Sequence, residues 1–465
     1  MNRNEEYKTL LDEISAHGEG AAGTVDRALA RLRRRRAVTR PLYSIAVVFL
    51  CFVALVNFSQ TVAEACAGIP GLRELAQAVT FSRSLADAVD NEYVQPIELT
   101  QTDGDITAAV EYLIVDQKQV TVFFRLESEV YECLAVDPEF RNAEGGHLES
   151  CSYHLNDYDV PIGGLQSVTI DFVQGDVPAA MRMWLKLRDV GSWYASEPAP
   201  EAPADRWDAA RDYDEPEYIA RFDFPLEFDP YFTRQGRHIE VNRTVTLDGQ
   251  EIIIRDIEVY PSHLRLNVED AESNTAWLKG LEFRIEADGE VFDTVKNGIS
   301  ATGVVDSPMM TSYRADSTFF YDAQELKVVI TAAAWLDKDM ETIRIDLANG
   351  TADAMPEGAE LVKAEREGDR WVVAVGAAMR NWNGDETVYK FHQIMLGTYY
   401  DAEGNMYYIS SWSSNITGDK YGERPGYFYE EFPLYDYPYD EVWLCPAYSS
   451  YWVAAEPVEI IISNK

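Results

Sequence analysis

The sequence predicts a mainly β protein with two or three β-sandwich domains, preceded by a short helical tail, one transmembrane helix and a juxtamembrane helix. Three observations support this. Residues 41–58 form an apolar run of 18 residues without a charge. From about residue 96 onward, apolar and polar residues alternate between turn signals, which is typical of half-buried strands. A strand–turn–strand block that begins with Asp-Gly, a hairpin signal, occurs twice.

Residues 1–40 are predicted to be a cytoplasmic helical tail. Two apolar stripes at helical spacing lie on either side of a glycine-rich break. Forty residues cannot bury a core of their own. The stripes therefore either bind a partner, or they belong to a weakly ordered tail whose arginines contact lipid head groups. The residues of the stripes are Tyr7, Leu10, Leu11, Ile14, Val25, Leu29 and Leu32.

Residues 41–59 are predicted to cross the membrane once as a helix, because an apolar run of this length is near the minimum for a bilayer. A block of arginines precedes the run, and the positive-inside rule then places the N-terminus in the cytoplasm and the C-terminal domains outside. A signal peptide is the alternative, since Ala63 and Ala65 resemble a cleavage site. The organised tail before the run favours an uncleaved anchor. The topology-setting residues are Arg33, Arg34, Arg35, Arg36 and Arg40.

The charge of the chain is divided between its two sides. Residues 1–40 carry 9 Lys and Arg against 6 Asp and Glu, whereas the remainder carries 31 against 73, a net charge of −42. A field of this sign repels nucleic acid and anionic lipid, so neither is an expected partner of the outer part. An extracellular ligand is expected but its identity is unknown, and plain solubility is the simpler explanation of the acidity.

After the membrane, residues 60–95 are predicted to be a juxtamembrane helical segment with Pro70 in its first turn. Residues 96–230 then form the first β-sandwich domain, in which strands around 106–114 and 120–126 make a hairpin through the turn at 116–119. Cys133 and Cys151 lie in this domain and could form a disulfide in an oxidising compartment.

A second β-sandwich is predicted for residues 235–350, because 247–268 aligns with 102–126 as the same Asp-Gly, strand, turn, strand pattern. Between the two domains, residues 196–216 are rich in proline, alanine and acid and are predicted to be a long exposed loop. Residues 356–465 form a third β domain, which Val458, Ile460 and Ile462 close with a last strand.

The sequence indicates no catalytic residue, metal site or cofactor. It has no HExxH pattern, no Gly-x-Ser-x-Gly elbow and no phosphate-binding loop. Asp401, Glu403 and Asn405 could offer oxygens to calcium, but the spacing fits a hairpin turn better. The aromatic and acidic stretch 427–443 could stack on sugars or hold a cation, or its rings could simply cover a sandwich core.

Taken together, residues 41–126 resemble a known family of membrane-anchored proteins of Gram-positive bacteria. The resemblance follows from the basic tail, the apolar run, IPGL at 69–72, a helix, and the Asp-Gly strand pair that follows Asn91, Tyr93, Gln95 and Ile97. These proteins carry a domain of unknown function that begins inside the span, and are often encoded beside an extracytoplasmic-function sigma factor. The residues around 235–350 are similar to the immunoglobulin-like domain that often follows.

The resemblance implies immunoglobulin-like sandwiches and an anti-sigma role, with the tail binding a sigma factor at the cytoplasmic face of the cell membrane. It implies no catalytic residues, so no enzyme activity is expected. A striped helix that enters a hydrophobic groove suits such a contact. The alternative function is a cell-surface binding or adhesion protein, in which the tail serves only as an anchor.

Overall fold

The computed structural model describes residues 72–463, except for 149, 157–158, 191–217, 296–297, 304–306, 379–392, 410–412, 416–423 and 425. The predicted tail, arginine block and membrane span lie outside the described residues. Within them, no helix has the length and apolar character needed to cross a bilayer. Apart from Leu72 and Arg73, these residues belong to the second of two compact units of the chain, Glu74–Lys465.

Two short helices stand where the sequence predicts one juxtamembrane helix. They are α1 (Leu72–Ala78) and α2 (Arg83–Asp90). A turn separates them, and the side chain of Ser82 caps α2 by accepting a hydrogen bond from the Leu85 N–H. The helices bury their apolar residues, as a short helix must to persist, because helices of this length are not stable alone.

The first sandwich follows directly and contains two sheets around one core. In one sheet the strand order is β1-β2-β3-β7-β5, and in the other it is β6-β4-β8-β9. Its strands are β1 (Gln95–Asp103), β2 (Ile106–Val115), β3 (Gln119–Ser128), β4 (Cys133–Asn142), β5 (Cys151–Leu155), β6 (Asp159–Pro161), β7 (Leu165–Phe172), β8 (Ala180–Asp189) and β9 (Ala220–Glu227).

The predicted hairpin is formed by β2 and β3, which pair antiparallel with Val115 opposite Val120. Both faces of β3 are buried, although the alternation in the sequence indicates only one buried face. On this second face, Arg125 donates hydrogen bonds to Glu111 and to Glu74 of α1. The helical segment therefore lies against the outer face of this sheet.

The suggested disulfide is not formed in this structure, in which no bond joins the sulfur atoms of Cys133 and Cys151. Cys133 begins β4 in one sheet, and Cys151 begins β5 in the other. The sheets of a sandwich lie about 10 Å apart, whereas the Cα atoms of a disulfide lie within about 7 Å.

The second sandwich repeats this plan, as the sequence repeat predicts. Its sheets have the orders β10-β11-β12-β16-β15 and β14-β13-β17-β27. Only the two short strands in the middle change sheets relative to the first sandwich. The strands up to β17 are β10 (Arg237–Leu247), β11 (Gln250–Val259), β12 (Leu264–Asp270), β13 (Ala276–Ala287), β14 (Glu290–Phe292), β15 (Ala301–Gly303), β16 (Met310–Ala315) and β17 (Glu325–Asp337).

A third sandwich is inserted after β17, with its own core between sheets β19-β18-β26-β22-β23 and β20-β21-β25-β24. Its strands are β18 (Ile343–Asp346), β19 (Thr351–Ala352), β20 (Ala359–Glu367), β21 (Arg370–Ala378), β22 (Met395–Tyr400), β23 (Met406–Tyr408), β24 (Ser413–Asn415), β25 (Tyr427–Leu434) and β26 (Glu441–Pro446).

The last strand, β27 (Ser450–Ser463), returns to the second sandwich and pairs with β17. This differs from the predicted boundaries, which give β18 to the second domain and Val458, Ile460 and Ile462 to the third. Ile460 and Ile462 instead join the core of the second sandwich. The reason is that alternation identifies the buried face of a strand but not its partner, and the open edge of β17 supplies that partner.

The two Asp-Gly signals make different turns. Between β10 and β11 the central residues are Asp248 and Gly249, with φ of 52° and 78°, as a two-residue type I′ turn requires. Between β1 and β2 the central residues are Gly104 and Asp105, and Gly104 has a φ of 58°. The Asp-Gly pair thus predicts both hairpins. Relative to that pair, however, the turn between β1 and β2 lies one residue later than the turn between β10 and β11.

Candidate functional site: a buried ionic junction between the first two sandwiches

Two equivalent hairpin turns of the repeat meet at the junction. The turn after β2 presents Asp116, and the turn after β11 presents Ser262. Asp116 Oδ2 accepts hydrogen bonds from the Ser262 backbone N–H at 3.1 Å and from its hydroxyl at 2.5 Å. Asp116 Oδ1 accepts from the N–H groups of Lys118 and Gln119. One carboxylate therefore shapes its own turn and binds the turn of the other sandwich.

A second carboxylate, Asp171 on β7, binds two arginines of the second sandwich. Arg314 on β16 donates to both of its oxygens, from Nε at 3.1 Å and Nη2 at 2.8 Å. Arg265 on β12 places Nη2 3.1 Å from Asp171 Oδ2 and also donates to the Phe172 carbonyl. Asp171 and Arg314 are 0% exposed and Arg265 is 3% exposed, so the three charges are held away from water.

The charges are segregated by sandwich. Both carboxylates, Asp116 and Asp171, belong to the first sandwich, and both guanidinium groups, Arg265 and Arg314, belong to the second. Asp171 meets its two guanidinium partners only when the two sandwiches are docked. Because breaking one partner of a buried ion pair typically costs about 3–5 kcal/mol, the network favours a single docked arrangement.

His263 lies at the centre of the network and is 0% exposed. Its Nε2 is 2.9 Å from Arg265 Nε, and its Nδ1 is 2.9 Å from the Ser262 hydroxyl. A guanidinium group has only donors, so Nε2 is the acceptor and the proton lies on Nδ1. The ring is therefore neutral. Burial, together with the charge of Arg265, lowers the pKa of His263 despite the opposing effect of Asp116.

Both junction carboxylates are ionised. Burial alone would raise the pKa of Asp171, but the charges and hydrogen bonds of Arg314 and Arg265 outweigh it and hold that pKa well below its usual range. Burial also opposes ionisation of Asp116. The contact with His263 and the hydrogen bonds from Ser262 and Lys118 nevertheless keep the pKa of Asp116 low.

Ser262, His263 and Asp116 are the residue types of a hydrolytic triad, but their geometry is different. In a triad the two ring nitrogens face the serine and the carboxylate separately. Here Nδ1 faces both the Ser262 hydroxyl and Asp116 Oδ2, the latter at 3.6 Å, and Nε2 is occupied by Arg265. The serine hydroxyl donates to Asp116 and is buried. The cluster joins two domains and does not activate a nucleophile.

Helix α2 docks beside this junction. The Ser84 hydroxyl donates to Asp316 Oδ1 at 2.9 Å and accepts from the Ser317 N–H at 2.8 Å. The Ser317 hydroxyl in turn donates to the carbonyl of Tyr260, whose ring stacks on His263 at 5.2 Å between centroids. A continuous chain of contacts thus links α2 to the centre of the ionic network.

The segments around α2 add apolar and cationic contacts. The Arg83 guanidinium lies 3.9 Å from the centre of the Phe292 ring in the second sandwich. Tyr93, which follows α2, donates its hydroxyl to the carbonyl of Phe232 in the linker between the sandwiches, and packs edge-on against Phe232 and Phe320. The helix therefore contacts the second sandwich, and the residue Tyr93 that follows it contacts the linker.

Two glycines allow the close approach of the sandwiches. A Cβ atom on Gly236, in the linker, would lie 2.6 Å from the ring of Tyr260 and 3.1 Å from the side-chain oxygen of Gln117. A Cβ atom on Gly298 would lie 1.9 Å from the ring of His154 in the first sandwich, and its φ of +87° also favours glycine. A side chain at position 236 would force the ring of Tyr260 to move, and one at position 298 would force the ring of His154 to move.

The other candidates from the sequence have structural explanations. Asp401 accepts hydrogen bonds from Glu403, Asn405 and Tyr407, so it organises the hairpin between β22 and β23. In the stretch 427–443, Phe432 and Tyr437 are buried in the core of the third sandwich. No cluster of possible metal ligands is found among the residues that the structure describes.

The tail stripe and the arginine block remain predictions, since both lie outside the described residues. The junction residues were missed by sequence reasoning. The signals that could have found them are the polar turn at 116–119 and Arg265, a charged residue between two leucines in a strand pattern. Neither signal says that the two turns meet.

Comparisons with known proteins find two family matches. Residues 33–128 match the family described as "Domain of unknown function (DUF4179)", and residues 236–355 match the "Family of unknown function (DUF5643)". The first match is consistent with the resemblance seen in the sequence. It ends at the last residue of β3 and includes Asp116 but not Asp171, whereas the second match covers β10 to β19 and includes Ser262, His263, Arg265 and Arg314.

Other comparisons add little. No curated protein matches the chain. A solved structure described as the conserved domain protein from Bacillus anthracis is similar over 53% of this chain and 79% of that chain, at 11% identity and a TM-score of 0.35.

Proposed function

We propose that this protein is a single-pass membrane regulator, an anti-sigma factor whose cytoplasmic tail holds a sigma factor while its extracellular sandwiches sense or scaffold. The observation that carries the proposal is the docking of α2. This helix follows α1 on the C-terminal side of the predicted span, and its Ser84 is hydrogen-bonded to Asp316 beside the ionic junction. A change in the junction would therefore alter the segment next to the membrane.

The family match supports treating these segments as one unit. It begins at Arg33 inside the arginine block and continues through the predicted span, both helices and the first three strands. Its printed description assigns no function, so the role of the tail depends on the apolar stripe at Leu10 and Leu11 and on the resemblance in the sequence.

The test uses the full-length chain in its own cells. After chemical cross-linking and affinity purification, the protein bound to the tail is identified by mass spectrometry. Recovery of a sigma factor supports the proposal. If none is recovered, and removal of residues 96–465 abolishes attachment of cells to a surface, the adhesion function replaces it.

Topology is tested separately. Protease added to intact cells without a wall is expected to degrade the part from residue 60 onward and to leave residues 1–40 protected, because the arginine block holds the N-terminus inside. Protection of the whole chain would contradict the membrane orientation that the proposal requires.

A further inference from the structure

We infer that His263 is a proton-controlled latch of the junction, so that mild acidification favours separation of the first two sandwiches. The inference rests on the proposed function only for its meaning to the cell, as a response to acid outside. The latch itself is a property of the buried ring and its neighbours.

The groups that face the ring come from four elements. The turn after β2 contributes Asp116 at 3.6 Å, β7 contributes Asp171 at 3.9 Å, β12 contributes Arg265 at 2.9 Å, and the turn after β11 contributes the stacked ring of Tyr260. Behind them, Arg314 binds Asp171, and Glu258 lies near Tyr260 and Arg265. With the ring neutral, the charges of the fully buried groups balance, since two carboxylates face two guanidinium groups, while Glu258 is only partly buried.

Protonation would disrupt this arrangement. A protonated ring has two donors and no acceptor, so Arg265 Nε would lose its partner at Nε2 and face a second cation at 2.9 Å. The junction would also acquire an uncompensated buried charge. Once the sandwiches separate, both side chains reach water and the conflict disappears. Protons therefore bind the separated state more tightly than the docked state.

Reference pKa values decide which group controls the response. An exposed histidine has a pKa of about 6.5, so the separated state is favoured about thirtyfold more at pH 5.0 than at pH 7.5 if the docked ring stays neutral. Exposed aspartates, with a pKa of about 3.9, change the same equilibrium by under about 20% over this range. His263 therefore dominates above about pH 4.5, and Asp116 and Asp171 contribute only in stronger acid.

One backbone group reports separation directly. The Ser262 N–H donates to the Asp116 carboxylate across the junction, whereas the nearby Tyr260 N–H donates to the backbone carbonyl of His263 within its own hairpin. Hydrogen exchange of the full-length chain, resolved to single amides and corrected for intrinsic rates, is measured at pH 7.5 and 5.0. Protection of Ser262 is expected to fall about thirtyfold, and protection of Tyr260 to stay nearly constant.

The His263→Gln variant keeps an acceptor for Arg265 but cannot titrate, so its Ser262 protection is expected to be independent of pH. His238→Gln is the matched control, because His238 is an exposed histidine of the same sandwich, and it should respond as the unmodified chain does. A thirtyfold fall that persists in His263→Gln would overturn the inference, as would constant protection in the unmodified chain.

If His263→Gln is already separated at pH 7.5, NMR titration of the ring in the unmodified chain decides instead. A His263 ring that titrates at or above pH 6.5 would overturn the latch. None of these readouts needs a sigma factor. If the exchange data contradict the latch, the test for a bound sigma factor is unaffected. If no sigma factor is recovered, the exchange test of the latch is equally unaffected.

Discussion

The side-chain amide of Gln101 pairs with the backbone of Asp223 as a neighbouring strand would. It donates to the Asp223 carbonyl at 2.7 Å and accepts from the Asp223 N–H at 3.2 Å. Gln95 makes the same two contacts with Glu227 and Asp229. Side chains of β1 thus close the open edge of β9, where unpaired backbone groups would invite association.

In the second sandwich, the edge of β27, which is equivalent to that of β9, is protected in a different way. Opposite β11, the β10 residues that correspond to Gln95 and Gln101 are Ile239 and Val245, which carry no amide. Within the described part of the chain, no strand covers the outer edge of β27. That strand carries Pro457 within an irregular register, and proline on an edge strand discourages further pairing.

Removing the Gln101 amide should loosen β9. In Gln101→Met the side chain keeps its length but both hydrogen bonds are lost, which is expected to weaken the local structure by about 1–2 kcal/mol. Hydrogen exchange at the Asp223 N–H should then accelerate about 5- to 30-fold. Glu98→Gln, an exposed change on the same strand, is the control. Equal exchange in both variants would show that the amide does not close the edge.

Asp171→Asn should separate the sandwiches at neutral pH. The neutral amide leaves Arg314 and Arg265 as buried cations without a carboxylate, an effect of about 3–5 kcal/mol. Exchange of the Ser262 amide is expected to rise by at least about a hundredfold. The control is Asp223→Asn, because Asp223 is 44% exposed and its carboxylate pairs with Arg182 at the surface of the same sandwich. Similar exchange in the two variants would contradict the role of Asp171.

The third sandwich should become less stable as the pH rises from 5 to 8. Glu430 on β25 is 0% exposed, and burial raises its pKa from 4.5 to about 7, although it accepts hydrogen bonds from the N–H groups of Ile394 and Met395. The folded state therefore keeps a proton that the unfolded state has already lost. Its stability is greatest below about pH 4.5 and falls, by an amount on the order of 3 kcal/mol, as the pH rises through 7.

Exchange of β25 amides at pH 5 and pH 8, corrected for intrinsic rates, measures this change. Glu430→Gln should remove most of the pH dependence, while Glu365→Gln, a change at a side chain that is 70% exposed, should leave it intact. An unaltered pH dependence in Glu430→Gln would assign the effect to another group.

The apolar stripe of the tail is expected to bind the sigma factor. Replacing Leu10 and Leu11 with Asp removes about 3–6 kcal/mol of apolar burial, or roughly a hundredfold in affinity at the lower limit. Sigma-dependent transcription is expected to rise in cells that carry this pair. Arg34→Ala with Arg35→Ala is the control and should leave transcription nearly unchanged, because these charges serve topology. Unchanged transcription with the leucine pair replaced would exclude the stripe as the binding surface.

The junction shows why part of the site escaped prediction. The alternation of β2 and β3 predicts a hairpin, and the polar residues at 116–119 predict its turn, because these are local properties of the backbone and its buried face. The same reasoning applies to β11 and β12. That Asp116 binds Ser262 is a relation between residues 146 positions apart, which depends on the linker and on how two finished sandwiches dock.

The sequence by itself determined the β class, the hairpins and the repeat of one sandwich plan, since period, turn chemistry and apolar content act over a few neighbouring residues. Only the tertiary structure decided that β27 returns to β17 around an inserted third sandwich, and that Asp171 meets Arg265 and Arg314 in a buried junction. Strand partners and buried charge pairs are chosen by competition among distant surfaces. The local pattern of apolar and polar residues does not record which distant surfaces will pair.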